Sequence, residues 1–354
     1  MKRDFLSVVR FLLPVIFTCV FLAIALKILE TPSSKPVWAA LHMTPASPYH
    51  NVIVVAKSGG DYSSVQKALS SIGDNSPTNR YLVWVAPGIY TETVTMKQYV
   101  DIEGAGEMST RIVNTSGTGG AILLGASNAE LRYLTVESKG ANLTAAILNA
   151  NASPSLLHVT VICSPLAGNG TGTGNTDGTS PDIAQFFGIR NTGGSAPVMV
   201  DVTVSATVGL SALGYAMYND GSSPTMKDVT ISIAGGNIIN YGVYNNNSSV
   251  TMKDVTISTL GGTGNYGVYN NNSSLTMKDG TVTSTGTGIS NYGAGSVTID
   301  DSTITTPSTT IYNSTSYVTH VGASKLEGGP VSGSLVTCAA VYDENYTFYP
   351  NTCP

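Results

Sequence analysis

Charged residues are scarce in this chain. Asp, Glu, Lys and Arg together make up 11% of its 354 residues, against about 25% in an average soluble protein. The formal net charge is −5, which excludes the broadly basic surface of a nucleic-acid-binding protein. Gly, Asn, Ser and Thr fill the remaining polar positions, and that composition favours an extracellular β-protein.

Cysteines are also few, and none is spaced for zinc. The chain has four, Cys19, Cys163, Cys338 and Cys353, with no C-x-x-C pair and no Cys/His cluster. Cys163 lies in an apolar segment, where we expect a small buried side chain. Cys338 and Cys353 are close together near the end of the chain, so we predict that they form a disulfide bond in an oxidising compartment.

The N-terminus contains an apolar run, residues 11–26, that follows Lys2 and Arg3. The run is long for the apolar part of a signal peptide and short for a membrane-spanning helix, which needs about 20 residues. We therefore predict that residues 1–30 are a signal peptide or signal anchor and that the proline-rich residues 31–50 are a linker. The protein is expected to be exported, as a secreted, periplasmic or cell-surface protein.

An internal repeat dominates the rest of the sequence. TMKDVTIS stands at 225–232 and 251–258, with TMKDGTVT at 276–283, and GVYNNNSS stands at 242–249 and 267–274. A period near 25 residues indicates stacked supersecondary units. Each unit holds short alternating segments that bury a continuous core only when coil stacks on coil, about 4.8 Å apart.

Three columns of identical side chains follow from this stacking. The asparagine column is Asn149, Asn191, Asn219, Asn245, Asn270, Asn291 and Asn313. The threonine column is Thr135, Thr160, Thr203, Thr230, Thr256, Thr281 and Thr303. The aspartate column, at a predicted bend, is Asp201, Asp228, Asp254, Asp279 and Asp301.

These patterns predict an all-β fold, a single right-handed parallel β-helix of about ten coils over residues 51–335. The segment 63–73 reads as a short amphipathic capping α-helix, because Val65, Leu69 and Ile72 share one face. Residues 336–354, with several aromatic residues and two cysteines, are predicted to cap the other end, since an open β-edge would aggregate.

The opening coils resemble those of the pectinesterases. The resemblance lies in VVAKSGGDYSSVQKAL at 54–69, YLVWVAPGIYTETVTM at 81–96 and VDIEGAGEMSTRI at 100–112. It covers about 60 residues and includes Gly88, Tyr90, Glu92, Val94, Gly104 and Gly106. It implies the right-handed β-helix of the pectin-lyase-like superfamily, but fold alone does not carry function.

The resemblance implies de-esterification of methylated galacturonan by two aspartates, glutamines and an arginine, in motifs of the type Q-D-T-L, D-F-I-F-G-N and G-R-P-W. None of these motifs is present in the sequence. FFGIRN at 186–191 is the nearest match to the second motif, and it places Phe186 where the nucleophilic aspartate is expected. We therefore expect that pectinesterase catalysis is not retained.

A relocated catalytic site is the alternative. A Gly/Thr-rich insertion at 168–182 brings together Asp177, Asp182, Gln185 and Arg190, and carboxylates with an arginine form a minimal acid–base set. Against this stands the reading of an idle surface loop. The site would make the protein a divergent esterase or polysaccharide lyase.

Tyrosines recur in the repeated coils and give the main candidate binding site. Tyr218, Tyr244 and Tyr269, with Asn245 and Asn270, are candidates for carbohydrate contact, since exposed tyrosines can stack on sugar rings. The alternative is internal packing of the tyrosines and a structural hydrogen-bonded ladder of the asparagines.

No cofactor is expected. The aspartate column is read as a set of turns with lysine partners, with Ca²⁺ binding as a weaker alternative. We therefore favour an exported, non-catalytic β-helix that binds or contacts polysaccharide at the cell surface. The alternatives are the divergent enzyme and a structural or adhesin-type solenoid.

Overall fold

The structure, a computed structural model, describes residues 51–114, 120–139, 145–164, 184–209, 212–236 and 238–354. These residues belong to one compact unit, Pro48–Pro354. The predicted signal segment, the predicted linker and the whole insertion at 168–182, with Asp177 and Asp182, lie outside the described residues. No helix in the described ranges is long and apolar enough to cross a membrane.

The described elements are one helix and a series of short strands. The first are β1 (Asn51–Val55), α1 (Val65–Ser71), β2 (Tyr81–Val85), β3 (Gly88–Thr91), β4 (Val94–Thr95), β5 (Val100–Gly104), β6 (Thr110–Asn114), β7 (Ala121–Leu124), β8 (Glu130–Ser138), β9 (Ala145–Ala150) and β10 (Ser155–Cys163). The central ones are β11 (Ala184–Thr192), β12 (Val198–Val208), β13 (Ala212–Asp220), β14 (Thr225–Gly235), β15 (Ile239–Asn246), β16 (Ser249–Thr259), β17 (Gly264–Asn271), β18 (Ser274–Lys278), β19 (Thr281–Ser284) and β20 (Thr287–Tyr292). The last are β21 (Ala294–Asp300), β22 (Thr303–Thr306), β23 (Thr309–Asn313), β24 (Ser316–Gly322), β25 (Lys325–Gly328), β26 (Val331–Gly333), β27 (Val336–Ala339), β28 (Val341–Tyr342) and β29 (Phe348–Tyr349).

The strands form two sheets that wind around one core. The sheet here called sheet 1 has 19 strands, and sheet 2 has ten strands in the order β26, β23, β20, β17, β15, β13, β11, β9, β7, β4. Each strand of sheet 2 pairs in parallel with the corresponding strand of the next coil, as β13 does with β15 and β15 with β17. The predicted right-handed parallel β-helix is therefore confirmed.

The register stacks identical residues, as the repeat predicts. Met226 pairs with Met252 and Met252 with Met277, and all three are at most 1% exposed. The threonine column is in register from Thr135 to Thr303. Because alternate residues of a strand point to opposite faces, Val, Ile and Met fill the interior while Thr and Lys face outward.

The aspartate column marks a bend in sheet 1, within the long strands of three coils and between two short strands in the next two coils. All five aspartates have left-handed backbone conformations, with φ between 48° and 54°. Asp and Asn adopt this region more readily than most residues, which explains their recurrence at the bend. The Lys227 Nζ lies 3.5 Å from the Oδ2 of Asp228 in the same coil. The Lys278 Nζ lies 3.5 Å from the Oδ2 of Asp301 in the next coil.

The helix α1 covers the N-terminal end of the core with Val65, Ala68 and Leu69. Glu92 fixes its first turn, because the carboxylate accepts hydrogen bonds from the backbone amides of Val65 (2.9 Å) and Gln66 (2.9 Å). Such contacts satisfy amides that otherwise have no partner at a helix start.

Other residues of the pectinesterase-like opening also have structural roles. The Tyr90 side chain is buried, and its hydroxyl donates to the Ala86 carbonyl (2.9 Å). Gly104 lies so close to the Tyr133 carbonyl that any side chain there would collide with it. The motif is thus explained by packing at the start of the helix, so it carries information about fold and none about activity.

At the C-terminal end the coil pattern continues two strands beyond residue 335. β27 pairs in parallel with β24 and β28 with β25, and the last strand, β29, then pairs antiparallel with β28. Cys338 and Cys353 are disulfide-bonded and their Cα atoms are 5.1 Å apart. Cys163 is buried at 1% exposure, and burial raises the pKa of its thiol to about 12, so it stays protonated and inert.

Candidate functional site

The asparagine column forms a continuous hydrogen-bonded ladder inside the coil. Each Nδ2 donates to the Oδ1 of the next asparagine, from Asn149 to Asn313, over distances of 2.7–2.8 Å. The seven side chains are at most 2% exposed. Asn313, the last, donates to the carbonyls of Tyr317 and Ser334.

This burial bears directly on two candidate carbohydrate contacts. Asn245 and Asn270 are 0% exposed, and both use their amide groups within the ladder. Neither side chain can reach a ligand at the surface. The candidate carbohydrate site therefore consists of the tyrosines.

The tyrosines form a face on the outer side of sheet 2. We call it the tyrosine face, and it consists of Tyr215, Tyr218, Tyr241, Tyr244, Tyr266, Tyr269, Tyr292 and Tyr312. One row stacks Phe187, Tyr215, Tyr241 and Tyr266 with ring centroids 4.9–5.3 Å apart. The second row is Tyr218, Tyr244, Tyr269, Tyr292 and Tyr312, with ring centroids 5.0–5.3 Å apart. Its rings are stacked as far as Tyr292, and Tyr312 is tilted by 40° against Tyr292.

The two rows share one face because of a local departure from strict alternation. In Tyr241-Gly242-Val243-Tyr244, both central residues are buried, and Val243 is 0% exposed. The tyrosines at either end then point outward together. Their rings meet edge to face across the rows, with centroids 5.1 Å apart for Tyr241 and Tyr244, a favourable aromatic geometry.

Burial of the phenols within the rows raises their pKa. Burial raises the pKa of Tyr218 and of Tyr269 to about 12, from an ordinary value of 10.0. Burial likewise raises the pKa of Tyr215 and Tyr241. The hydroxyls therefore stay protonated at neutral pH, where each can both donate and accept a hydrogen bond.

A polar row runs beside the tyrosines on the same strands. Asn246 donates to the Asp220 carboxylate (2.8 Å), and Asn271 donates to the Asn246 amide oxygen (2.8 Å). All three side chains are partly exposed. The Asp220 charge contributes to the raised pKa of Tyr218 and of Tyr244, after burial in both cases.

Arg190 is the described member of the predicted acid–base set that lies at this face. Its guanidinium lies over Phe187 (5.0 Å) and Tyr218 (5.7 Å), in cation–π geometry. Its Nε is buried without a hydrogen-bond partner. Gln185 is on the same strand but five residues away, roughly 16 Å at a rise of about 3.3 Å per residue, so the two are not brought together.

The Phe186–Phe187 pair separates into two environments. Phe186, which stands at the position of the absent nucleophile, is 3% exposed and belongs to the interior core. Phe187 is equally buried but packs with Tyr215 in the outer cluster. The FFGIRN motif draws attention to Phe186 alone, whereas the regular spacing of the tyrosines in later coils predicts that Phe187 lies in the outward-facing row.

A further candidate site lies among the early coils, beside sheet 1. It is a cavity of ≈ 450 Å³ lined by Glu107, Met108, Arg111, Thr135, Thr160 and Ile162. Its charges have partners, since Arg111 pairs with Glu137 and Glu107 accepts a hydrogen bond from Thr160. Such pairing is typical of a structural network, so the cavity is a weaker candidate than the tyrosine face.

Metal-binding side chains form no cluster among the described residues. Across the part of the chain that the structure describes, no three His, Cys, Asp or Glu side chains come together in a way that holds a metal ion. The aspartate column is exposed and extended along the helix. Ca²⁺ binding there stays a prediction.

Comparison with known proteins gives a limited match. No known family model matches the chain. Putative pectinesterase 11 of Arabidopsis thaliana is 33% identical over 97 residues, 25% of this chain. The match spans 28% of that relative's length. The resemblance inferred from the opening coils is confirmed at this level.

The chain is also similar to several solved structures. Pectin methylesterase from carrot has a TM-score of 0.47 and 13% identity, covering 78% of this chain and 84% of its own. The A-module of the Azotobacter vinelandii mannuronan C-5 epimerase AlgE6 has a TM-score of 0.43, 13% identity and coverages of 79% and 85%. Pectin methylesterase PemA from Erwinia chrysanthemi has a TM-score of 0.38, 12% identity and coverages of 85% and 91%. No residue role is transferred from these proteins.

Proposed function

We propose that this chain is an exported, non-catalytic β-helix protein that binds polysaccharide at the cell surface. The observation that carries the proposal is the tyrosine face, where partly exposed phenols recur on consecutive coils beside a row of partly exposed amides. Sugars are recognised by aromatic residues with a polar tip and by neighbouring amide groups.

The sequence supports each part of this proposal. The pectinesterase relative and the pectinesterase-like opening favour a polysaccharide-related role. The absence of the Q-D-T-L and G-R-P-W motifs, with Phe186 buried in the core, favours a non-catalytic role. The apolar N-terminus and the Cys338–Cys353 disulfide favour export to an oxidising compartment.

A divergent enzyme is the second candidate, and one observation favours it. The Arg190 Nε is buried and has no hydrogen-bond partner, so it is a donor that an anionic group would satisfy. A buried donor without a partner destabilises the fold, and such donors are often kept at functional sites. An esterase or lyase acting on acidic glycans would need acids near it. Asp177 and Asp182, the predicted acids, lie outside the described residues.

One experiment separates these candidates. The purified full-length chain is incubated with methyl-esterified and acetylated pectins, and released methanol, acetate and unsaturated chain ends are measured. Retention in polysaccharide-containing native gels measures binding on the same samples. We expect no release, together with retention that falls at least tenfold in Tyr244→Ala.

The controls decide the assignment. Tyr133→Ala, on sheet 1, should leave retention unchanged. Release that disappears with Arg190→Ala or Asp182→Ala would establish the enzyme and contradict the proposal. Absence of both release and retention would contradict both candidates and leave the structural or adhesin-type solenoid.

A further inference from the structure

The stacking of the tyrosine face determines which part of each ring a ligand can touch. Tyr244 has Tyr218 on one side (5.3 Å, 6° between planes) and Tyr269 on the other (5.0 Å, 5°). Both faces of its ring are therefore covered by neighbours. The exposed part of the ring is its edge with the phenol hydroxyl, so a sugar ring cannot stack on Tyr244 in the usual manner.

The second row presents these edges at a regular pitch along the helix axis. Five tyrosines, from Tyr218 to Tyr312, follow each other at 5.0–5.3 Å. This pitch is close to the length of one pyranose unit in an extended glycan chain. A glycan chain lying parallel to the β-helix axis would therefore meet one tyrosine hydroxyl at each successive sugar.

The charges of this surface restrict the type of chain. Arg190 is the one cation that contacts a ring of the two rows within the described residues, and it lies at one end. The next coil carries the Asp220 carboxylate, and beyond it the row continues with Asn246, Asn271 and uncharged phenols. A glycan with one carboxylate per sugar would lose hydration along this surface without gaining cationic partners, which is unfavourable.

We propose that the tyrosine face binds a neutral glycan chain parallel to the helix axis, about one sugar per coil, through hydrogen bonds to phenol edges and to the Asp220–Asn271 row. The inference rests on the proposed polysaccharide binding and specifies its ligand and geometry. Unlike sugar stacking on the tyrosine rings, this binding mode requires the tyrosine hydroxyls. Unlike the binding of an acidic glycan, it requires a ligand without charge.

The charge requirement is tested with ligands of equal length and linkage. Binding of the full-length chain to 1,4-linked galacturonan oligomers of two to seven residues is measured by calorimetry, with each oligomer either free acid or fully methyl-esterified. A cello-oligosaccharide series serves as a second neutral set. We expect a neutral series to bind at least tenfold more tightly than the acid series, with affinity rising up to about five sugars and then levelling.

The outcomes separate this inference from the proposed function. Equal or tighter binding of the acid oligomers would overturn the inference and leave polysaccharide binding intact. Affinity that stops rising at one or two sugars would overturn the axial geometry. If no series binds, the proposed function fails, and the inference fails with it.

The hydroxyl requirement is tested by Tyr244→Phe, which keeps the stacked ring and removes the hydroxyl. We expect a loss of about 2–10-fold in affinity for the preferred oligomer, the range of one hydrogen bond. Tyr133→Phe, on the other sheet, is the matched control and should change nothing. Unchanged affinity in Tyr244→Phe would overturn recognition by phenol edges.

The Asp220 carboxylate is tested by Asp220→Asn, which keeps the size of the side chain and removes its charge. We expect the preference for neutral over acid oligomers to narrow by about threefold, because a nearby like charge disfavours an anionic ligand. A preference that stays unchanged would contradict the assignment of charge selection to this face.

Discussion

The coils before residue 164 and those after residue 184 have the same fold but are held together by different side chains. In the early coils, ion pairs join particular residues of neighbouring coils, as in Arg80–Asp101 (2.9 Å) and Arg132–Glu103 (2.6 Å). In the later coils, the asparagine ladder repeats one hydrogen bond from coil to coil. Each early coil thus depends on its own ion-pair partners, whereas the later coils are all joined by the same hydrogen bond.

This difference explains where the tyrosine face lies. An ion pair needs a specific partner, so an added coil in the early region would leave a charge unpaired at considerable cost. A ladder residue needs only another copy of itself, so coils can be duplicated without new partners. Long rows of identical outward side chains accumulate only where the interior permits such repetition, and that is the half with the asparagine ladder.

The largest expected effect is from breaking the ladder in its middle. Asn245→Ala leaves the amide of Asn219 and the Oδ1 of Asn270 buried without partners. Each unsatisfied group costs about 1–3 kcal/mol, so we expect the free energy of unfolding in urea to fall by about 2–4 kcal/mol. Chemical denaturation followed by circular dichroism measures it.

The end of the ladder provides the matched control. The Oδ1 of Asn149 already has no partner, and a side chain at Gly125 in the preceding coil would collide with it. Asn149→Ala leaves only the Oδ1 of Asn191 unpaired, so we expect a loss of about 1–2 kcal/mol. Equal losses in the two variants would contradict the account in which each unpaired buried group of the ladder lowers the stability.

A smaller effect is expected in the early coils, from Arg111→Met. Glu137 is 4% exposed and pairs with Arg111 and with Lys139 (3.0 Å). Removing Arg111 leaves a buried carboxylate with one partly exposed cation, which should cost about 1–3 kcal/mol, the range for a buried group that loses a partner. The same denaturation measurement applies.

Lys227→Met is the control for this pair, on the repeated coils. Lys227 and Asp228 are about half exposed, with N···O at 3.5 Å, and such surface pairs contribute at most about 0.5–1 kcal/mol. If Lys227→Met were as damaging as Arg111→Met, the distinction between ion-paired early coils and ladder-based later coils would be wrong.

The fold was predictable because its determinants are periodic. The repeat gave the register of Met226, Met252 and Met277, and the column of asparagines appears at the predicted positions. Left-handed backbone at Asp228 and its equivalents also follows from residue type. Local chemistry and global stacking agree at these positions, which is why a single sequence sufficed.

The candidate site was predictable only in part. Strict alternation places the two tyrosines of Tyr241-Gly242-Val243-Tyr244 on opposite faces, whereas Gly242 and Val243 both turn inward. Sequence also shows no ring orientation, so sugar stacking on tyrosine was the natural expectation. The covered ring faces and the buried Asn245 depend on contacts between coils, which only coordinates provide.

The smallest expected effect on stability at neutral pH comes from the phenols of the second row, and their titration tests whether that row is buried. The folded-state pKa of Tyr218 and Tyr269 is about 12, above the ordinary 10.0. Because these phenols hold their protons more tightly in the folded state than in the unfolded state, their contribution to the free energy of unfolding is fully present below pH 10. It is lost as the pH rises from 10 towards 12. Phenolate absorbance at 295 nm should show the late-titrating class in the native protein and its disappearance in urea. Tyr218→Phe with Tyr269→Phe should reduce this class, and Tyr133→Phe should not. A native titration identical to the unfolded one would show that these phenols are not buried in the row, and the contrast between the two halves of the β-helix would then be confined to the interior ladder.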